Sequence, residues 1–165
     1  MSRWRLNDLF LTGVCLTNYY RALHGAPPLS YSSTLQSYAV SCAAKGASSC
    51  LLQNCATGGS GSNAYELRTT DPNAVPPTIC VAINAWYQEI SMYRFSNQPW
   101  TDNSVNFHAI GHFSQLVWKS TTAVGCGWQR SSCAGRTCFF LNCNYSPPGN
   151  MVSNQEFYDN VRPRN

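Results

Sequence analysis

One glutamate, two histidines and a few serines carry most of the acid–base and metal chemistry this chain can offer. His112 stands in Gly111-His112-Phe113-Ser114-Gln115-Leu116-Val117-Trp118, and Glu89 in Trp86-Tyr87-Gln88-Glu89-Ile90. A neutral imidazole beside a carboxylate can help to hold a divalent cation, or can act as a base oriented by an acid. His108 lies four residues before His112 and could swing in, although a loop histidine more often faces solvent. Ser114 neighbours His112, but a serine nucleophile also needs an orienting group and oxyanion donors. The chain has Ser–His proximity and no Gly-x-Ser-x-Gly elbow, so proteolysis is the less expected chemistry.

The elements that must position these groups can be read from periodicity. Leu6, Leu9, Phe10, Gly13, Val14, Thr17 and Tyr20 follow helical spacing, which ends near His24-Gly25. Ala26-Pro27-Pro28-Leu29 is an extended connector, because residues before proline avoid the helical region. Ser33-Thr34-Leu35-Gln36 reads as a capping box opening a second helix, with Leu35, Tyr38, Ala39, Cys42 and Ala43 on its apolar face. Residues 48–63 are rich in Gly, Ser and Cys and predict a loop pinned by Cys50 and Cys55. Pro76-Pro77 suit the first turn of a third helix with the stripe Ile79, Ile83, Trp86, Tyr87 and Ile90, which places Glu89 at its far end. Residues 94–110 predict a long loop, and Phe113, Leu116 and Val117 a short helix. Residues 123–129 and 137–145 read as strands around a Cys-Ala-Gly turn, the second with Phe139, Leu141, Cys143 and Tyr145 on one face. Helices followed by late strands predict an α+β fold with strands sandwiched by helices, in a single domain spanning 1–165.

Composition narrows the class further. Only 11% of the 165 residues are charged while 13% are aromatic, so folding must proceed by burying rings. The net charge of +4 is spread along the chain apart from Arg162 and Arg164, which leaves no nucleic-acid footprint. No apolar run is long enough to cross a bilayer. Nine cysteines without zinc-ribbon pairing imply a disulfide framework built in an oxidising compartment. Their odd number leaves at least one thiol outside that framework, and Cys15, inside an apolar helical stripe, is the candidate for a buried free thiol. The basic start Met1-Ser2-Arg3-Trp4-Arg5 and the run Leu9 to Leu16 after Asp8 lack a small-residue cleavage site and read as the start of a mature chain.

Two segments carry a resemblance to a known family. Gly111-His112-Phe113-Ser114-Gln115-Leu116-Val117-Trp118 and Cys143-Asn144-Tyr145-Ser146-Pro147-Pro148-Gly149-Asn150, with Gly125-Cys126-Gly127 between them, resemble the signature motifs of the CAP superfamily of cysteine-rich secretory, antigen 5 and pathogenesis-related proteins. Arg21 to Leu29 and Trp86 to Ile90 are similar to the family's first-helix exit and third-helix motif. The tail from Pro147 to Pro163 is similar to that of the family's Golgi-associated branch, which lacks this cysteine load, so a secreted, extracellular, venom-allergen-like relative is implied. The resemblance covers nearly the whole chain and implies a three-layer α-β-α sandwich.

It also implies a polar cleft in which two His and two Glu hold a divalent metal. Glu89 and His112 match the second Glu and second His of that tetrad. The first Glu falls on Ser62, within Gly61-Ser62-Asn63-Ala64, and the first His should lie near Leu51-Leu52-Gln53-Asn54, which contains none. Two ligands leave most of the coordination to water, so the expectation is a degenerate site with no metal and no other cofactor, in which Glu89 and His112 pair with each other.

Tyr93-Arg94-Phe95-Ser96-Asn97-Gln98-Pro99-Trp100 resembles the caveolin-binding-type pattern that sterol-binding family members place after the third helix. Ring faces suit a flat sterol, and a loop with Pro and Asn can open to admit it. Tyr93, Phe95 and Trp100, with Phe107, are the candidate lipid-binding residues, unless Tyr93 and Trp100 serve only to anchor the loop. Relatives also hold fatty acids between the segments matching Leu6–Tyr20 and His112–Trp118. The expectation is thus a non-enzymatic protein that binds sterol or another hydrophobic small molecule. The alternative is a module that engages a host or cell-surface protein through the 48–63 loop. Asn144-Tyr145-Ser146 is a formal glycosylation sequon set inside a strand, where use is not expected.

Overall fold

The computed structural model describes residues 6–165, with side chains from Gly13 onward. The basic start Met1–Arg5 and the side chains of Leu6, Leu9 and Phe10 lie outside the described residues. In chain order the elements are α1 (Leu6–Leu23), β1 (Ser30–Tyr31), α2 (Ser33–Ser49), β2 (Gly61–Thr69), α3 (Ile79–Gln88), α4 (Pro99–Asn103), α5 (Gly111–Val117), β3 (Ala123–Cys133), β4 (Arg136–Ser146) and α6 (Asn154–Asn160). The sheet order is β1-β3-β4-β2, with β1 parallel to β3 and the other pairs antiparallel.

Strand alternation sorts the two faces of this sheet. Val124, Cys126, Leu141, Cys143 and Tyr145 join Ile83, Trp86, Phe113 and Leu116 of α3 and α5 in the main core. Cys138 and Phe140 point the other way, onto Ala43 and Ala47 of α2. The result is the α-β-α sandwich implied by the resemblance. Gly125 and Gly127 make the α2 side possible. A β-carbon on Gly127 would stand 2.6 Å from the Val40 backbone nitrogen, and one on Gly125 would overlap the backbone of Gln36. The helix therefore lies directly on the strand, while Cys126 between the two glycines bonds to Cys143 on the opposite face. Arg21, fully buried, donates to the carbonyls of Leu116, Trp118 and Thr121 at 2.9–3.0 Å and so caps the end of α5. Burial lowers its pKa to about 10.

Several expectations are corrected. The second helix is capped by Ser32, whose hydroxyl accepts from Leu35 N, and not by a box starting at Ser33. The expected 48–63 loop is shorter: α2 runs to Ser49 and β2 starts at Gly61. That strand lacks clean alternation and is held by its nine-residue ladder to β4, which a local pattern does not reveal. Cys50 and Cys55 both pin the intervening loop, each to a partner outside it, through Cys50–Cys133 and Cys42–Cys55. Residues 94–110 are not one irregular loop. They hold α4 and a 3-10 stretch over Ser104–Ala109, because the buried Asn103 amide accepts from Arg94 N and donates to Arg94 O and Pro99 O at 2.7–2.8 Å. Cys15 is free but exposed; Cys138 is the buried free thiol, and Cys80 is partly buried. Among the described residues no helix is long and apolar enough to cross a membrane.

Candidate functional site

The cleft is assembled from the end of α3, the start of α5, β2 and the loop before it. Glu89 follows the last turn of α3, and both its oxygens are engaged. Oε1 accepts from His112 Nδ1 at 2.7 Å, while Oε2 accepts from the backbone N–H groups of His112 and Phe113 at 3.0 and 2.9 Å. A carboxylate can only accept, so a proton sits on His112 Nδ1, and in the neutral ring Nε2 is left bare. The His112 ring stacks on Trp86 at 6.0 Å, and the Trp86 indole donates to Ala64 O of β2.

Opposite His112, a half-open cavity of about 240 Å³ is lined by Asn54, Ser62, Phe107, His108 and His112, with Asn63 and Asn150 in its wall. The two wall amides are committed: Asn63 Nδ2 donates to His112 O, and Asn150 Nδ2 to Gly111 O. Ser62 Oγ is buried and has no hydrogen-bond partner in the protein. Asn54 is held from both sides, since Asn142 Nδ2 donates to Gln53 O at 2.7 Å and Asn144 Nδ2 to Cys55 O at 2.8 Å. Asn144 is fully buried by this contact, which leaves its sequon amide closed to solvent. Ser114 does not face His112 as a nucleophile would; it is buried and donates to Asn150 Oδ1 at 2.6 Å.

These residues do not fit a zinc ion. Among the described residues no three His, Cys, Asp or Glu side chains converge. Ser62 and Asn54 offer a hydroxyl and an amide where zinc prefers charged or imidazole donors, and Glu89 is already consumed.

The four aromatic candidates separate into two clusters. Tyr93 is 6% exposed and packs edge-on against Phe95 and Phe113, at 4.8 and 5.5 Å. Its hydroxyl has no partner, and burial pushes its pKa up. Trp100 and Phe107 pack with each other and with Phe157, away from that group. Phe95 is 39% exposed and lines a second cavity of about 240 Å³ with Pro99, Tyr158, Val161 and Arg162. The C-terminal residues of this cavity carry no periodic signal in the sequence; α6 and the tail bring them there. His24 clasps the same tail, with Nδ1 2.6 Å from Arg162 O and Nε2 3.0 Å from Tyr87 Oη.

The sequence profile of the Cysteine-rich secretory protein family, CAP, matches residues 14–145. The chain belongs to the CAP family. It is 37% identical over 153 residues to Repressed by EFG1 protein 1 of Candida albicans, a match covering 88% of this chain and 51% of that protein. Identity to the Zea mays pathogenesis-related protein PRMS is 30%, covering 82% of this chain and 74% of that one. Among solved structures, BmVAL-1 superposes with a TM-score of 0.66 at 19% identity, over 93% of this chain and 81% of that one, and shows the shared fold. The chain thus spans about half the length of the Candida relative. Within this CAP domain the cleft holds one imidazole–carboxylate pair, and the cavity beside it is lined by Asn54, Ser62, His108 and the Phe107 ring.

Proposed function

We propose that this CAP domain is a secreted, non-enzymatic binding protein for sterol or another hydrophobic small molecule, taken up at the loop after α3. The observation that carries this is Phe95, a ring left 39% exposed over a cavity whose other walls are Pro99, Tyr158 and Val161. Exposed aromatic surface beside a concavity is where an apolar ligand gains most from leaving water. The cavity, at about 240 Å³, is smaller than the ~300–1,000 Å³ of sites that enclose a whole ligand, so it takes one end of a sterol or acyl chain. Tyr93 lies beneath Phe95 as support, and Trp100 and Phe107 brace α4 against Phe157. Secretion is supported by the three disulfides and by the secretory character of the family. Ser114, the serine beside His112 in sequence, is bonded to Asn150 and not to the imidazole that Glu89 orients, which favours binding over catalysis.

Binding of radiolabelled cholesterol and palmitate to the wild type and to Phe95→Ala tests this. Loss of the ring should weaken cholesterol binding about fivefold or more. Unchanged binding removes the loop from the ligand site.

A second function, engagement of a cell-surface protein, is favoured by one observation. Leu51 and Leu52 are exposed on the loop clamped between Cys50 and Cys55. A loop-swapped variant in a pull-down would separate it from lipid binding.

A further inference from the structure

We propose that the cavity at His112 is a binding site for an uncharged, hydroxyl-rich ligand, namely a single sugar ring. Four features of the cavity point there, and none depends on lipid binding at Phe95.

The first is charge. No Asp, Glu, Lys or Arg lines the cavity among the described residues, and the nearest carboxylate, Glu89, has both oxygens occupied by three donors. A charged ligand would enter without a counter-charge and would lose its hydration for nothing in return. The second is the set of unused hydrogen-bonding groups. His112 Nε2 has no protein partner among the described residues and, in the neutral ring that Glu89 holds as the Nδ1–H form, is an acceptor. Ser62 Oγ is a buried hydroxyl without a protein partner, able to donate and accept. The Asn54 amide and the His108 ring complete the rim. An acceptor, a hydroxyl and an amide around one small space match the mixed donor and acceptor edge of a sugar.

The third is preorganisation. Glu89 fixes the His112 ring, a nine-residue ladder fixes Ser62, and Asn142 and Asn144 hold the residues on both sides of Asn54 beside the Cys42–Cys55 bond. Groups already locked in place lose little entropy on binding. The fourth is the Phe107 ring, partly exposed in the cavity wall, which offers an apolar surface to the C–H face of the same ring. Catalysis is not part of the proposal, since the backbone N–H groups of His112 and Phe113 that could steady an oxyanion are spent on Glu89.

The test is an NMR titration of the intact protein with methyl glycosides of glucose, mannose and galactose, and with linear oligosaccharides of the same sugars. At least one sugar is expected to shift the His112 ring and Asn54 amide resonances in a saturable way. Ser62→Ala should weaken that binding about five- to tenfold, as expected for one lost hydrogen bond in a preformed site. Because this variant only deletes an unpaired hydroxyl, its fold is retained, and Phe95→Ala should leave the sugar titration unchanged. Equal binding of monomer and oligomer assigns a free sugar, and tighter binding of the oligomer assigns a glycan end; both support the site. No saturable shift with any of these sugars, or equal binding in wild type, Ser62→Ala and Asn54→Ala, overturns it.

Discussion

Glu89 Oε1 stands 2.7 Å from His112 Nδ1, and the second oxygen of the same carboxylate takes the two backbone N–H groups that open α5. One side chain thus orients the cleft imidazole and anchors the helix that carries it. Glu89→Ala leaves those N–H groups without their acceptor and should cost about 2–3 kcal/mol, read from urea denaturation. In the wild type, long-range nitrogen–proton spectra of His112 should show the Nδ1–H tautomer. An Nε2–H tautomer at neutral pH would contradict the orientation of the pair.

The contact of α2 with β3 predicts a contrast between glycines. Gly127→Ala drives a methyl into the Val40 backbone and should cost about 3 kcal/mol or more. Gly135→Ala meets no atom within 4 Å but sits at φ +75°, so it should cost only about 1 kcal/mol, from backbone strain alone. Equal losses in thermal or urea unfolding would deny that α2 rests on the strand.

Burial lowers the pKa of His24 from its ordinary 6.5, with the Arg162 carbonyl opposing that shift. The unfolded chain therefore binds a proton more readily than the folded one. Stability contributed by neutral His24 is present above pH 6.5 and falls as the pH drops below it towards the depressed folded value. His24→Gln should flatten this part of the stability–pH profile. An unchanged slope would assign it to other groups.

Tyr93 buries a hydroxyl with no partner. Tyr93→Phe deletes that atom and keeps the ring packing on Phe95 and Phe113. It should be neutral or stabilising by up to about 1 kcal/mol, measured by thermal unfolding. A marked loss of stability would mean that the hydroxyl is bonded in solution.

The thiols should differ in reactivity with their exposure. Iodoacetamide without reductant should label Cys15 first and Cys80 more slowly, and Cys138 only after unfolding. Intact mass against time reads the three steps. Rapid labelling of Cys138 would place it outside the α2–β4 contact.

How much of this was legible in the sequence depends on the range of the forces involved. α3 and the β3–β4 pair announce themselves by apolar spacing, because their burial pattern repeats within a few residues. β2 does not: Gly61-Ser62-Asn63 has no strand character of its own and is extended because β4 supplies its hydrogen bonds. The loop after α3 hid α4 for a similar reason, since Asn103 folds it back onto Arg94 and Pro99. Cys15 looked buried because its stripe is apolar, yet its side chain falls on the solvent side of α1.

By itself the sequence determined the family, the order of the main helices and strands and a disulfide framework, and it raised the expectation of a cleft with two of four ligand positions changed. Those are carried by residue identity and short spacing. Tertiary structure alone decided what lines that cleft. Asn142 and Asn144 are distant from Asn54 in sequence, yet they hold the residues on both sides of it so that it lines the same cavity as His112; the C-terminal tail likewise comes round to meet Phe95. Such neighbours arise from packing of the whole chain, where contact energy depends on distance in space and not on separation in sequence.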